Sequence, residues 1–299
     1  MTAPTRPPEV LTAAAGLRVA GRGAAGPADL RVGDVATVAI PSAPGRDALD
    51  IHGTPWRRLW LLPDRLVVDF FRIAVAEVRT DGTVTFDRDL PPDLEQHLLL
   101  DHLLPLVLAS RGGVVLHGAV LHLHGRAVVL VGRSGAGKST LTAFLQQQGW
   151  SVGGDDGAVL GLGARVTAEP TYPTIRLTPD AVDLLAIRDP GERVVGKTRL
   201  VPGPGRPFDQ EPAEVAVIAR VEPVPAGQPA EVARLRGVDA HAALFGCTFH
   251  ADLGGPLMRS VLDRLAGVPD MTVVARLTVP RGREGLAATE TVLREQVTR

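Results

Sequence analysis

A glycine-rich loop, GRSGAGKS at residues 132–139, lies between an apolar strand and a helix, and this arrangement leaves few folds open. The run RAVVLVG before the loop is almost unbroken in its apolar character, as in a strand that is buried on both faces. A helix is predicted from about Lys138 to Gln148, and Gly149 ends it. Strand, loop and helix in this order are typical of an α/β fold that binds phosphate at the helix N-terminus.

The loop matches the pattern G-x-x-x-x-G-K-[ST] at every fixed position. Its glycines let backbone amides turn towards phosphate oxygens, Lys138 reaches the β- and γ-phosphates, and the Ser139 hydroxyl is a ligand for Mg²⁺. The sequence therefore predicts a site for a nucleoside triphosphate and Mg²⁺, without identifying the reaction. The predicted nucleotide-binding residues of the loop are Gly132, Arg133, Ser134, Gly135, Ala136, Gly137, Lys138, Ser139 and Thr140.

Two adjacent aspartates, Asp155 and Asp156, follow one helix and one short strand after the loop. If the strand from Trp150 pairs in parallel with the strand before the loop, both strands end at the same edge of the sheet, beside the phosphates. Two neighbouring carboxylates repel unless a metal ion and a lysine offset their charge. One of them can hold the metal and the other can accept a proton from an attacking hydroxyl. The alternative is an Asp-Asp-Gly turn without a chemical role.

Charge and composition exclude several classes of partner. The 299 residues are 45% hydrophobic, and the net charge of −1 favours neither nucleic acid nor an anionic membrane surface. The stretch HLLLDHLLPLVLAS at residues 97–110 is shorter than the ~20 residues of a spanning helix and carries Asp101 and His102. No signal peptide is expected at the N-terminus. The single cysteine, Cys247, fits the reducing cytoplasm, which is the expected location.

The chain is predicted to have two parts. Residues 1–88 contain short β-rich runs separated by turn signals and are predicted to form a small, mostly antiparallel β module. Residues 89–299 are predicted to form the catalytic domain, which begins with a helix that ends before Arg111. The Pro- and Gly-rich segment 201–212 is predicted to be a loop.

Residues Leu116–Leu160 carry a family resemblance: a His-Gly pair, the loop GRSGAGKST, and the segment QQGWSVGGDD. Together they resemble the catalytic core of HPr kinase/phosphorylase, a bacterial family related in fold to phosphoenolpyruvate carboxykinase. The resemblance implies a P-loop kinase core of that α/β type and a role for His117 beside the catalytic aspartate. It also implies that Asp155 is the general base and Asp156 the Mg²⁺ ligand, although the two roles are interchangeable, and that the chain forms a homo-oligomer.

Beyond residue 160 the resemblance changes. The segment AEPTYPTIRLTPD at residues 168–180 contains Arg176, the candidate for the family's phosphate-binding arginine, but the Arg-Gly-Leu-Gly continuation of the family is missing. This segment, Lys197 and the preceding β module are similar to a branch that acts on ribosomally made peptides, including kinases that phosphorylate lasso-peptide precursors on serine. Lys197, Arg199 and Arg206 are candidates for phosphate contacts or for solvated loop charges.

The leading functional hypothesis is an ATP- and Mg²⁺-dependent kinase that phosphorylates a hydroxyl, most plausibly serine, of a peptide or protein. In this hypothesis Asp155, His117 and Lys138 are the catalytic residues, and Ser139 and Asp156 hold the metal. A kinase for a small-molecule alcohol is one alternative. A nucleotide-gated regulatory or binding protein is another, and it has no use for a proton-accepting aspartate.

Overall fold

The computed structural model describes residues 10–12, 18–20, 22, 28–49, 54–172, 174–188, 191–194, 196–201, 203, 205–209, 211–249 and 255–298. These residues form a mixed α/β structure with three sheets. Most of the N-terminal residues for which no signal peptide was expected, and residues 202, 204 and 210 of the predicted loop, lie outside these ranges. None of the helices in the described ranges combines the length and the apolarity that a membrane crossing requires.

The N-terminal sheet contains eight strands within the described residues: β1 (Val10–Thr12), β2 (Arg18–Ala20), β3 (Leu30–Val32), β4 (Arg46–Leu49), β5 (Pro55–Leu61), β6 (Arg65–Phe70), β7 (Ala74–Arg79) and β8 (Thr83–Phe86). Their order is β1-β2-β3-β8-β7-β6-β5-β4. The pairs β2–β3 and β3–β8 are parallel and the others are antiparallel, so the sheet is mixed.

A single apolar helical segment follows this sheet and packs against it. It consists of α1 (Pro92–His97), a π-helical stretch (Leu98–Leu103) and α2 (Leu104–Ser110). Leu98, Leu103 and Leu106 are fully buried in one core with Phe70 and Phe86 of the N-terminal sheet. The helix begins in the predicted second domain and buries its apolar face on the first, while the division between residues 88 and 89 stays a prediction.

The central sheet begins with β9 (Val114–Leu116), β10 (Gly118–Leu123) and β11 (Arg126–Val131), after which the phosphate loop leads into α3 (Lys138–Gln147). It continues with β12 (Ser151–Gly154), β13 (Ala158–Leu162) and β14 (Val166–Glu169).

The remaining elements are β15 (Ile175–Leu177), α4 (Pro179–Leu184), β16 (Glu192–Val194), β17 (Lys197–Leu200), β18 (Ala213–Val224), β19 (Glu231–Arg234), α5 (Gly237–Phe245), α6 (Gly255–Ala266), α7 (Val268–Met271), β20 (Val273–Pro280) and α8 (Arg283–Thr298). Strands β15, β17 and β16 form a separate small sheet, whereas β18, β19 and β20 belong to the central sheet.

Helices cover both faces of the central sheet because its strands are apolar on both sides. On β11, Val128 and Leu130 face one core with α3 and α8, whereas Val129 and Val131 face another core with α5, α6 and α7. Successive side chains of a strand point to opposite faces, so an unbroken apolar run requires a cover on each side. The prediction of a doubly buried strand before the loop is confirmed.

The predicted pairing of the strand after Trp150 is wrong in one respect. Strand β12 does not pair with β11, since β10 lies between them and is antiparallel to both. Two antiparallel steps leave β12 and β11 pointing in the same direction, so their carboxyl ends still lie at one edge of the sheet. Helix α3 therefore connects two strands, β11 and β12, that are separated in the sheet by β10. The strand that pairs directly and in parallel with β11 is β18.

The end of β12 packs tightly, which generates a prediction. A Cβ atom on Gly154 would lie 1.7 Å from Oγ1 of buried Thr171. We expect Gly154→Ala to lower the free energy of unfolding by about 1–3 kcal/mol, because a short β-branched side chain has little room to move. Urea denaturation measures this change. Gly163→Ala, at an exposed bend with no atom within 4 Å of the added Cβ, is the control and should differ from wild type by less than ~0.5 kcal/mol. Equal losses in the two variants would contradict the packing argument.

Candidate functional site

The phosphate loop adopts a conformation that requires glycine. Gly135 and Gly137 have φ angles of 80° and 90°, in the left-handed region, and Gly137 is the N-cap of α3. These turns leave the first turn of α3 open to the loop, where free backbone amides and the helix dipole attract an anion. The amine of Lys138, which is the first residue of α3, donates hydrogen bonds to the carbonyl oxygens of Gly132 (2.8 Å) and Arg133 (3.2 Å).

A pocket opens in front of the loop, and most of the residues predicted for the site line it. From the loop and α3 come Ser134, Gly135, Gly137, Lys138, Ser139 and Thr140. The facing wall consists of His117, Asp156, Arg176, Thr178 and Lys197. The structure thus brings together segments that are up to 80 residues apart in the sequence. Gly132, Arg133, Ala136 and Asp155 do not line this pocket, and Arg133 is exposed.

Asp155 lies beneath the pocket at the end of β12 and is 1% exposed. Its Oδ2 accepts a hydrogen bond from the backbone amide of Arg176 at 3.2 Å, while Oδ1 is buried without a partner among the described residues. Burial and the charge of Asp156 raise the pKa of Asp155 to about 7, although the Arg176 amide, Ser139 and Lys138 oppose this shift. A carboxyl with such a pKa can exchange a proton near neutral pH.

The backbone of Asp156 has a φ of 65°, in the left-handed region. Aspartate is one of the few residues apart from glycine that adopt this conformation readily. Its carboxylate lines the pocket and lies 3.8 Å from the guanidinium of Arg176. The adjacent aspartates therefore occupy different environments, one buried below the pocket and one on its wall, which is how two carboxylates acquire different chemistry.

His117 lies in the break between β9 and β10. Its amide donates a hydrogen bond to the carbonyl of Cys247 at 2.6 Å, and its ring packs edge-on against Phe249. Burial and the charge of Lys138 lower the pKa of His117, so the imidazole is neutral at neutral pH. Its Nδ1 is 3.1 Å from the carbonyl oxygen of Asp156. Because a carbonyl only accepts, Nδ1 carries the proton and Nε2 keeps a lone pair.

The three cationic residues that were candidates for phosphate contacts have different positions. Lys197 lines the pocket. Arg199 is buried away from it, with one guanidinium nitrogen 2.5 Å from Oε1 of Gln96. Arg206 lines a different cavity, beside Gln146 and Gln147 of α3.

The oxygen ligands at the pocket fit a magnesium ion. Ser139 and Asp156 both line it, and hydroxyl and carboxylate oxygens together with phosphates and water are the ligands that Mg²⁺ prefers. In the described ranges no group of three or more His, Cys, Asp and Glu residues surrounds a metal position.

Sequence patterns did not predict a buried ionic cluster behind the pocket. Asp101, in the π-helical stretch, accepts hydrogen bonds from Nδ1 of His97 (2.5 Å) and from the guanidinium of Arg176 (2.8 Å). Although burial opposes ionisation, these two partners hold the pKa of Asp101 well below its ordinary range. The only available signal was the presence of Asp101 and two histidines in a mostly apolar helical segment, because buried charged residues are rare unless they are paired.

Comparisons with other proteins add little to this geometry. The chain matches no protein family model and no curated protein. Among solved structures it is similar to the "Hpr(Ser) kinase/phosphatase from Coxiella burnetii", at 14% sequence identity over 60% of this chain and 94% of that chain, with a TM-score of 0.31. This TM-score is too low to equate the two folds.

The environment of Asp155 generates a prediction for stability. We expect Asp155→Asn to raise the free energy of unfolding of the ligand-free protein, and to do so more at pH 8 than at pH 5. The carboxyl stays protonated in the folded protein up to about pH 7 but ionises in the unfolded chain above about pH 4, so wild-type stability falls as pH rises through that interval. The gain at pH 8 is on the order of 2–4 kcal/mol.

Urea denaturation at the two pH values measures this gain. Asp180→Asn, which removes an exposed carboxylate, is the control and should change stability by less than ~0.5 kcal/mol at either pH. A gain from Asp155→Asn that is the same at pH 5 and pH 8 would show that the buried carboxyl titrates normally.

Proposed function

We propose that this protein is an ATP- and Mg²⁺-dependent kinase that transfers the γ-phosphoryl group to a hydroxyl. The observation that carries the proposal is the position of Asp155: a buried carboxyl that accepts a hydrogen bond from the amide of Arg176, which lines the pocket together with Lys138 and Ser139 of a phosphate loop. Burial raises the pKa of this carboxyl to about 7, in agreement with a role in proton transfer. A protein that only binds nucleotide does not need a proton acceptor there.

The loop residues bind the triphosphate in this proposal. Backbone amides of residues 134–140 and the N-terminus of α3 contact phosphate oxygens, and the amine of Lys138 moves from its loop carbonyls to the β- and γ-phosphates. Ser139 and Asp156 hold Mg²⁺, which when bound neutralises charge on the β- and γ-phosphates. Arg176 and Lys197 on the facing wall add positive charge near the group that is transferred.

The reaction follows from the two carboxylates. Asp155 removes the proton from the acceptor hydroxyl, whose oxygen forms a bond to the γ-phosphorus while the bond between that phosphorus and the β–γ bridging oxygen breaks. ADP leaves with the electron pair of that bond, and Asp155 holds the proton until the product departs. His117 orients the aspartate pair by donating from Nδ1 to the carbonyl of Asp156. We assign the metal to Asp156 rather than to Asp155 because Asp156 is the more exposed of the two and lines the pocket.

For the acceptor we propose a serine of a peptide or protein. Support comes from the similarity of segments 116–160 and 168–180 to kinases of the HPr kinase type, including those that act on ribosomally made peptides. We further propose that the chain works as a homo-oligomer, as the same resemblance implies, and in the cytoplasm, whose reducing conditions fit the single cysteine. A small-molecule alcohol as acceptor, or nucleotide binding without transfer, are the outcomes that the following experiments distinguish.

Two substitutions separate binding from transfer. We expect Lys138→Ala to weaken ATP binding at least tenfold, because the amine that meets the phosphates is lost. Asp155→Asn should keep ATP affinity within about threefold while lowering kcat at least 100-fold, in the range of general-base contributions. Calorimetry with a non-hydrolysable ATP analogue and phosphotransfer or ATPase assays measure these effects, with Asp180→Asn as the control. Undiminished transfer in Asp155→Asn would remove this residue as the base.

The acceptor is identified by incubation with γ-labelled ATP. We expect the label to appear on a serine of the peptide encoded beside this gene, and intact mass with fragmentation reports the modified residue. Label on a small metabolite from a cell extract would favour the small-molecule kinase. If wild-type protein binds ATP and Mg²⁺ but labels neither class, the nucleotide-gated binding protein becomes the better description.

A further inference from the structure

Asp101 is a buried carboxylate that shares its contacts among three basic side chains. Its side chain is 1% exposed, and Oδ2 lies 2.5 Å from Nδ1 of His97 and 2.8 Å from the guanidinium of Arg176. The guanidinium of Arg199 is 3.8 Å from the same oxygen. Removing one partner of such a pair leaves a buried charge without compensation, which is energetically costly. The contacts with Asp101 therefore hold these basic side chains in one arrangement.

The π-helical stretch sets the position of this carboxylate. A π turn is wider than an α turn, so residues four and five positions apart come to lie over one another. Here His97 contacts Asp101, four positions on, and its Nε2 is 3.3 Å from Nε2 of His102, five positions on. The polar side chains of His97, Asp101 and His102 thus lie next to one another in a helical segment whose apolar residues pack on the N-terminal sheet. Such local widening is frequent at functional sites.

The small sheet places two arginines opposite each other, and their charges require a nearby anion. Arg176 of β15 and Arg199 of β17 are directly opposite each other in the antiparallel register, and like charges in that position repel. Asp101 approaches both from the neighbouring helix and acts as their shared counter-ion.

Arg176 also lies between two carboxylates. The same guanidinium nitrogen is 2.8 Å from Asp101 and 3.8 Å from Asp156, so it is hydrogen-bonded to the first and not to the second. A full ion pair with Asp156 would neutralise the carboxylate that the proposed function assigns to Mg²⁺.

We propose that Asp101 is a positioning residue: it holds the Arg176 guanidinium against the pocket wall and thereby keeps the Asp156 carboxylate available to a divalent cation. The inference rests on the proposed function in assigning the cation to Asp156. Asp101 itself touches neither nucleotide nor acceptor, since it is buried behind Arg176. Its effect on the cation passes through Arg176 alone.

The test is metal binding rather than transfer. Mg²⁺ affinity is measured by calorimetry in the presence of saturating ADP. We expect Asp101→Asn, which keeps the shape of the side chain but removes its charge, to raise the Kd for Mg²⁺ about tenfold as Arg176 moves to Asp156. Asp93→Asn, in the first turn of the same helical segment, is the matched control and should leave the Kd within twofold.

A second pair of variants tests whether the effect of Asp101 on metal binding passes through Arg176. In Arg176→Gln protein there is no guanidinium to move, so adding Asp101→Asn should change the Kd for Mg²⁺ by less than about twofold. An equal, roughly tenfold weakening with and without Arg176 would overturn the proposal, because Asp101 would then act on the fold and not through Arg176.

The test remains decisive if Asp101→Asn alone does not fold. Arg176→Gln and the double variant, which lacks both members of the pair, are still available, and a tenfold difference in the Kd for Mg²⁺ between these two variants would overturn the proposal. A tenfold tighter Kd in Arg176→Gln would mean that Arg176 already neutralises Asp156 in the wild type, and would overturn the proposal.

Failure of the proposed function gives a different pattern. If Asp156→Asn leaves the Kd for Mg²⁺ unchanged, the metal assignment is wrong and this inference falls with it. If Asp156→Asn abolishes Mg²⁺ binding but Asp101→Asn has no effect on it, the proposed metal site stands and the role of Asp101 alone is rejected.

Discussion

The burial of the Asp155 carboxyl is the constraint on which the remaining site depends. A carboxylate at 1% exposure, with one oxygen that has no hydrogen-bond partner in the part of the chain that the structure describes, is costly to ionise, and a second carboxylate at the next residue increases that cost. The Arg176 amide and the nearby Ser139 and Lys138 partly offset it. A chain that retains such an arrangement loses stability at neutral pH, which is expected at a site where a proton has to move.

The strand order of the central sheet provides this environment. By inserting β10 between β11 and β12, the fold keeps the carboxyl ends of β11 and β12 at one edge and brings the beginning of β10 to the same edge. The phosphate loop follows the first of these ends, the aspartate pair follows the second, and His117 precedes the beginning of β10. The strand order therefore brings the loop, the carboxylates and the histidine together. The register that pairs Gly118 with Val131 fixes their positions along the strand direction.

Features of the site that depend on residues close together in the sequence could be predicted, whereas contacts between residues far apart in the chain could not. The loop and the aspartate pair were identifiable because their geometry is determined within one strand, one turn and one helix. The pairing of β12 with β10 rather than β11 could not be predicted. A strand that pairs directly and in parallel with β11 runs in the same direction as a strand that is separated from β11 by one antiparallel strand, so both arrangements place the aspartates at the same edge of the sheet. Arg176 was a candidate by resemblance only, and its partner Asp101 lies 75 positions earlier in the chain. Periodicity does not encode such tertiary ion pairs. The polar residues within HLLLDHLLPLVLAS were the sole indication of them.

The cluster around Asp101 connects the N-terminal sheet to the pocket. His102, next to Asp101, packs its ring 4.8 Å from Trp56 and 5.9 Å from Phe70 of that sheet, while Asp101 contacts Arg176 on the pocket wall. A buried ion pair contributes little net stability compared with an apolar contact of the same size, so its value is in fixing one arrangement of the groups that it joins. Any displacement of the helical segment relative to the N-terminal sheet moves the anion that two arginines share. The position of Arg176 in the pocket therefore depends on packing in a sheet none of whose described residues lines the pocket.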